Sequence, residues 1–149
     1  MHFLPLNLID EKATPSNEFV QKTQEIICSL ASKENLVLFQ MASEGVRYNF
    51  FFLEKSGISR KQYYKGLRTL KDAGLIRKFN NSYLHTTLGR LVYHEISKIE
   101  KFTSHLNEMK MIDVLKDSGQ FSQNEMSTFL KKMSDNGQDS FLSDIAAEI

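Results

Sequence analysis

The chain is poor in the residues that would commit it to several familiar protein classes. Among 149 residues it has no tryptophan, two prolines and one cysteine, Cys28. A single cysteine excludes an internal disulfide and fits a reducing compartment, so a cytoplasmic protein is expected. Cys28 sits among Ile26, Ile27 and Leu30 on one helical segment, which favours a buried structural thiol over a redox sensor. No apolar run approaches the roughly 20 residues of a membrane span. The opening MHFLPLNLIDEK has neither a basic leader nor a small-residue cleavage site, so no signal peptide is expected. There is no Gly-rich phosphate loop, no H-E-x-x-H, no cysteine pair and no Gly-x-Ser-x-Gly, and the four histidines are dispersed. We therefore expect no enzyme and no cofactor. Repeats and low-complexity segments are also lacking. What remains is a chain with 41% apolar and 11% aromatic residues, enough to bury the core of one ordinary domain with extensions.

Near-neutral overall charge hides a segregation. The chain carries 19 basic and 18 acidic residues. Residues 55–90 hold nine of the basic ones (Lys55, Arg60, Lys61, Lys65, Arg68, Lys71, Arg77, Lys78 and Arg90) against a single acid, Asp72, a net +8. The remainder has ten basic against seventeen acidic residues, a net −7. A local basic surface is the electrostatic footprint of phosphate binding, although a solvated helix face has the same composition.

Residues 56–76, SGISRKQYYKGLRTLKDAGLI, give that charge a geometry. Ser59 is a helix N-cap, because its hydroxyl can accept an unpaired N–H of the first turn. Gly74 supplies the left-handed residue that ends the helix. Between them Tyr63, Leu67 and Leu70 recur at helical spacing and face inward, with Ile58 as a further anchor. Arg60, Lys61, Gln62, Tyr64, Lys65, Arg68 and Lys71 face outward. A short helix anchored on one face and basic on the other suits a DNA major groove. Beyond Gly74, the runs 75–79 and 83–86 read as two short strands around Asn80, Asn81 and Ser82, a hairpin turn in which Asn tolerates positive φ. Thr86 then caps another helix.

The run S-x(7)-L-x-x-L-x-x-A-G-L-I, from Ser59 through Leu67 and Leu70 to Ala73-Gly74-Leu75-Ile76, resembles the winged helix-turn-helix transcription regulators, a group that includes ArsR-like and MarR-like repressors. The hairpin and its exit Y-x-x-T-x-x-G-R, here Tyr83, Thr86, Gly89 and Arg90, carry the rest of the resemblance, which spans about residues 32–92. It implies a mainly α fold with a small β-hairpin wing. Residues 1–31 would be an N-terminal arm and helix, 32–87 the winged-helix domain, 88–117 a long dimerisation helix and 118–149 a C-terminal helix and tail. Residues 32–43 would be the first helix of the domain, with Leu36, Leu38, Phe39, Met41 and Ala42 on its core side and Glu44-Gly45 ending it. Residues 49–55 are read as helix, although Phe50-Phe51-Phe52 suits a strand equally well. His85 departs from the family pattern, whose hairpin often has an apolar residue there.

The flanks read as oligomerisation equipment. Thr14 and Pro15 start an N-terminal helix with Phe19, Val20, Thr23, Ile26, Ile27 and Leu30 on one face. Residues 88–116 contain no proline and one glycine, Gly89, in the first turn. Their apolar positions, including Leu88, Leu91, Val92, Ile96, Ile99, Phe102, Leu106 and Met109, alternate spacings of three and four. One continuous helix here would be roughly 40 Å long. Leu91, Val92, Ile96, Ile99, Phe102, Leu106 and Met109 are the candidate seam of a homodimer; packing on the chain's own N-terminal helix is the alternative. Asp117-Ser118-Gly119 ends that helix, and Ser122 and Glu125 form a capping box, with Phe121 and Met126 placed as a hydrophobic staple. The next helix presents Met126, Phe129, Leu130 and Met133, and the tail carries Phe141, Leu142 and Ile145.

His94, His105 and Glu108 follow a spacing, H-x(10)-H-x(2)-E, similar to the zinc-sensing site of some ArsR-like repressors. Those sites also use an aspartate where this chain has Val92, so no metal is expected. The sequence thus predicts a homodimeric winged-helix regulator that binds double-stranded DNA. Ser59, Arg60, Lys61, Gln62, Tyr64, Lys65, Arg68 and Lys71 would lie at the major groove, and Arg77, Lys78, Asn80 and Asn81 at the backbone or minor groove. A winged helix serving as a protein-interaction module in a larger complex is the competing class, and a metal-sensing repressor a third. Neither operator nor effector is legible.

Overall fold

The computed structural model describes residues 16–137 and 140–148. In chain order the elements are α1 (Asn17–Ser29), α2 (Lys33–Met41), α3 (Phe50–Ser56), α4 (Arg60–Asp72), β1 (Ile76–Phe79), β2 (Ser82–His85), α5 (Thr87–Ser104), α6 (Leu106–Asp117), α7 (Gln123–Gly137) and α8 (Ser140–Glu148). The fold is mainly helical, with one two-stranded antiparallel sheet. It divides into two compact units, residues 1–93 and 94–149, with the division falling inside α5.

Local chemistry sets the boundaries in the first unit. Ser32 caps α2 by accepting the Asn35 N–H at 3.1 Å. Asn49 caps α3 by accepting from Phe51 N–H at 3.0 Å, and Gly57, at φ 70°, ends it. The Phe50-Phe51-Phe52 run is therefore helical, as its place before the Gly57 turn requires. α4 closes with a Schellman motif. Gly74 (φ 79°) donates its N–H to the Lys71 carbonyl at 2.9 Å, Leu75 donates to Leu70 at 3.0 Å, and both leucines are fully buried. Asn80 and Asn81, at φ 46° and 62°, form a two-residue turn whose positive φ values match the twist of the hairpin. The strands are thus one residue out of step with the sequence reading: β1 begins at Ile76 and β2 runs from Ser82 to His85, with Ile76 opposite His85.

The core of this unit lies among α2, α3, α4 and the hairpin. Leu38, Phe39, Leu70 and Leu75 are fully buried, and Tyr63, Leu67, Ile58 and Ile76 nearly so. Each such side chain contributes about 1.5–3 kcal/mol of transfer free energy. Leu36 and Met41, expected on the core side of α2, are only half-buried. The crossing of α2 and α4 depends on Gly66, where a Cβ would lie 2.7 Å from both Asn35 Oδ1 and Leu38 Cδ1. α1 lies against α4: Lys22 Nζ donates to the Ala73 carbonyl at 3.3 Å, a cation at the negative end of the helix, and Asn35 Nδ2 donates to Ser29 O at 2.8 Å. Ser16 flanks the start of α1 without a side-chain cap bond; Thr14 and Pro15 lie outside the described residues. Cys28 is exposed, contrary to expectation, because Phe19, Val20 and Ile27 on the same helix are also uncovered and only Ser29 of α1 is buried.

In the second unit, Ile112 of α6, Met126 and Leu130 of α7 and Ala146 of α8 form a small core, with Leu115 and Ile145 packed against it. The Ser122–Glu125 capping box is formed in both directions, at 3.2 and 2.8 Å. Phe121 and Phe129 stay about half exposed, and the side chains of Met133, Phe141 and Leu142 lie outside the described residues. The single long helix expected over 88–116 is two helices, broken at His105 (φ −117°, ψ 26°). Three weak helix formers in succession cause the break. The Thr103 and Ser104 hydroxyls donate to the carbonyls of Glu100 and Lys101, and His105 N–H donates three residues back, to Phe102.

Candidate nucleic-acid interface

α4 presents a complete N-terminus. Ser59 Oγ accepts from Gln62 N–H at 3.1 Å, and Gln62 Oε1 accepts from Ser59 N–H at 2.8 Å, a reciprocal capping box. Gln62, expected among the outward residues at the major groove, commits its carbonyl oxygen to the helix start. Tyr63, Gly66, Leu67 and Leu70 bury one face of α4, which leaves Arg60, Lys61, Tyr64, Lys65, Arg68 and Lys71 exposed on the other. No acidic residue sits in the first turn; instead Arg60 and Lys61 lie at the positive end of the helix dipole. That placement costs the helix about 0.3–1 kcal/mol per charge, and it adds two cations to a terminus already suited to anions.

The hairpin extends this surface. Arg77, Lys78, Phe79, Asn80 and Asn81 are all exposed, and the Arg77 guanidinium lies over the Phe79 ring at 5.5 Å. Among the described residues, none of the nine basic side chains between Lys55 and Arg90 forms an ion pair; the three ion pairs found lie on α1, α5 and α6. No protein-family model matches the chain, and no curated protein or solved structure matches it significantly.

Two features of this surface escape sequence reasoning. The first is Tyr48, which precedes α3 yet stacks on Tyr64 of α4, with ring centroids 6.0 Å apart and planes 10° from parallel. Its segment is held by a bridge to β2, Val46 and Tyr83 exchanging backbone bonds of 2.9 and 2.8 Å, and by Arg47 Nε donating to Ser82 Oγ at 2.6 Å. The aromatic doublet Tyr63-Tyr64 was the available signal, since one ring of such a pair faces the core and the other seeks a partner outside it. The second is the tie of the expected cap Thr86 back to the end of α4, at the junction of hairpin and α5. Thr86 Oγ1 donates to Gly74 O at 2.6 Å and accepts from Gly89 N–H at 2.9 Å, while Thr86 N–H donates to Leu75 O. Those bonds account for Thr86, and Gly89 is required because a Cβ there would lie 1.9 Å from the Leu75 carbonyl oxygen.

His85 lies beneath this surface. Its Nε2 bonds to the Phe39 carbonyl at 2.7 Å, its ring meets Phe39 and Tyr93, and its Nδ1 is buried without a partner. Burial holds the imidazole below its ordinary pKa, the Arg90 charge acts in the same direction, and the bond to Phe39 opposes both. Burial also pushes Tyr63 up to about 12, aided by the neighbouring Tyr64, Tyr83 and Tyr48. Among the described residues no three His, Cys, Asp or Glu side chains gather as metal ligands. His105 Nδ1 and Glu108 Oε1 are 3.9 Å apart as neighbours on one turn, and His94 stands eleven positions earlier, on α5 before the break. Of the expected dimer seam, Leu91, Ile99, Phe102 and Leu106 are 40–62% exposed, and Val92, Ile96 and Met109 are half-buried.

Proposed function

We propose that the chain is a winged-helix protein that binds double-stranded DNA as a homodimer and regulates transcription by occupying an operator. In this reading α4 is the recognition helix and the β1–β2 hairpin is the wing. The observation that carries it is the row of exposed basic side chains on α4 and the hairpin, none with an acidic partner among the described residues. Arg60 and Lys61 at the helix N-terminus work against local helix stability, a conflict characteristic of functional surfaces. Lys61, Lys65 and Lys71 would position the protein on phosphates, while Arg60 and Arg68 would address base edges. The exposed apolar residues of α5 and α6 support pairing with a second copy, which would set two recognition helices about one DNA turn apart.

The test is a titration of a labelled random duplex by fluorescence anisotropy, at low and at near-physiological salt. Micromolar or tighter binding at low salt that weakens steeply as salt rises is the expected result. Absence of duplex binding at low salt would overturn the proposal. That outcome belongs to the second reading, a winged helix that docks on a protein partner. The 79% exposed Phe51 and 52% exposed Phe79 are the observation favouring it.

A further inference from the structure

We propose that Tyr48 and Tyr64 form an aromatic clamp that holds the Arg60 guanidinium as a reader of guanine, which makes Tyr48 a positioning residue for sequence selection. The inference rests on the DNA-binding reading above and names the base class that reading would select. The guanidinium carbon of Arg60 lies 5.8 Å from the Tyr48 ring centroid and 5.9 Å from that of Tyr64, within cation–π range of both. The two rings are nearly parallel, and each meets the buried Tyr63 ring edge-on, at 5.6 and 5.1 Å. Tyr63 therefore ties the clamp to the core.

Tyr48 itself has little freedom. The residues on either side are fixed: Val46 by its paired backbone bonds to Tyr83, Arg47 by Ser82, and Asn49 by its cap bond to Phe51 N–H. An unrestrained arginine loses rotamer entropy when it docks, whereas one already held over two rings loses less. Arg60 forms no ion pair among the described residues, so no carboxylate competes for its planar N–H fork. A planar fork with fixed orientation matches the O6 and N7 acceptors of guanine in the major groove, which a lysine, as a point charge, cannot do. Arg68, eight residues further along α4, has no such clamp among the described residues, so the selectivity should concentrate at the base met by Arg60.

The experiment is selection from a pool of duplexes with a randomised 20-base-pair core, using the full chain and the variants Arg60→Lys, Tyr48→Leu, Tyr48→Phe and Tyr64→Leu. The wild type should enrich a motif with guanine at one position of each half-site. Arg60→Lys, Tyr48→Leu and Tyr64→Leu should each lower the preference for that guanine about tenfold. Tyr48→Phe keeps the ring and should keep the preference, a rescue that a hydroxyl-dependent role would not give. Retention of the guanine by Tyr48→Leu would overturn the clamp, as would its loss in Tyr48→Phe. Uniformly weaker binding with an unchanged motif would also overturn it, because Arg60 would then be contacting phosphate. A wild type that binds no duplex at low salt would overturn the DNA-binding reading itself, and it would do so before any variant was made.

Discussion

Replacing Gly89 by alanine tests how the hairpin is locked to α5. A Cβ built at Gly89 falls 1.9 Å from the Leu75 carbonyl oxygen and 2.9 Å from its carbon, against a floor of 3.0 Å for real Cβ contacts. The obstacle is backbone, so relief requires α5 or the segment around Leu75 to move by more than 1 Å. Leu75 and Ile76 are 0% and 2% exposed, so their neighbours give way only by opening the core. Such overpacking costs about 1–3 kcal/mol, and loss of the Thr86 N–H bond to Leu75 O adds about 1 kcal/mol. Alanine's helix propensity returns about 0.5–1 kcal/mol. The net destabilisation is about 1–3.5 kcal/mol, centred near 2. Urea unfolding followed by far-UV circular dichroism should show the midpoint falling by about 1–2 M at an ordinary slope. Gly57→Ala is the comparison. It meets nothing within 4 Å, and its φ of +70° alone should cost about 1–2 kcal/mol. A Gly89→Ala variant as stable as the wild type, or more so, would refute the close packing described here.

Arg60→Ala combined with Lys65→Ala should weaken duplex binding and lower the slope of log affinity against log salt by about 1 per protomer, the share of Lys65, with the circular dichroism spectrum retained; an unaltered slope would remove Lys65 from the phosphate-tracking surface. The His85 imidazole is held below its ordinary pKa in the folded state, so the unfolded chain binds the extra proton first and stability falls as pH drops below about 6.5. Urea midpoints at pH 7.5 and 5 should show a larger acid loss for the wild type than for His85→Leu, and equal losses would clear His85 of that role. Burial pushes the Tyr63 phenol up to about 12 from an ordinary value near 10, so its contribution is intact below pH 10 and is lost as pH rises through 12, roughly 3 kcal/mol in all. Absorbance at 295 nm should record one late-titrating phenol that disappears in Tyr63→Phe.

Much of the architecture was legible because punctuation residues wrote it locally. Ser59, Asn49, Gly57 and Gly74 act at the positions where their side chains or φ values are needed, and the Asn80-Asn81 pair sets its turn without help from distant contacts. The break at His105 was not legible from Gly or Pro, since neither is present; three individually tolerable residues, Thr103, Ser104 and His105, act together. Cys28 shows a different limit. Apolar neighbours on a helix indicate that a face exists, and burial requires something to cover it. At the candidate interface, the basic residues were visible as composition on a periodic segment. Tyr48 was not, because it reaches α4 through a bridge between residues 37 positions apart in the chain. Gln62 adds a local effect: its carbonyl oxygen is occupied three residues away, by the backbone of Ser59.

The tyrosine cluster has an optical consequence. The chain has five tyrosines and no tryptophan, and Tyr48, Tyr63 and Tyr64 sit with centroids 5.1–6.0 Å apart. Three of the five phenols that emit near 305 nm therefore share one cluster, two of them with ring centroids 5.8 and 5.9 Å from the Arg60 guanidinium carbon. At that spacing the three phenols exchange excitation faster than they emit, so a change at any one of them quenches the group. The unlabelled protein carries its own gauge of events at the start of α4, readable in real time and without a dye.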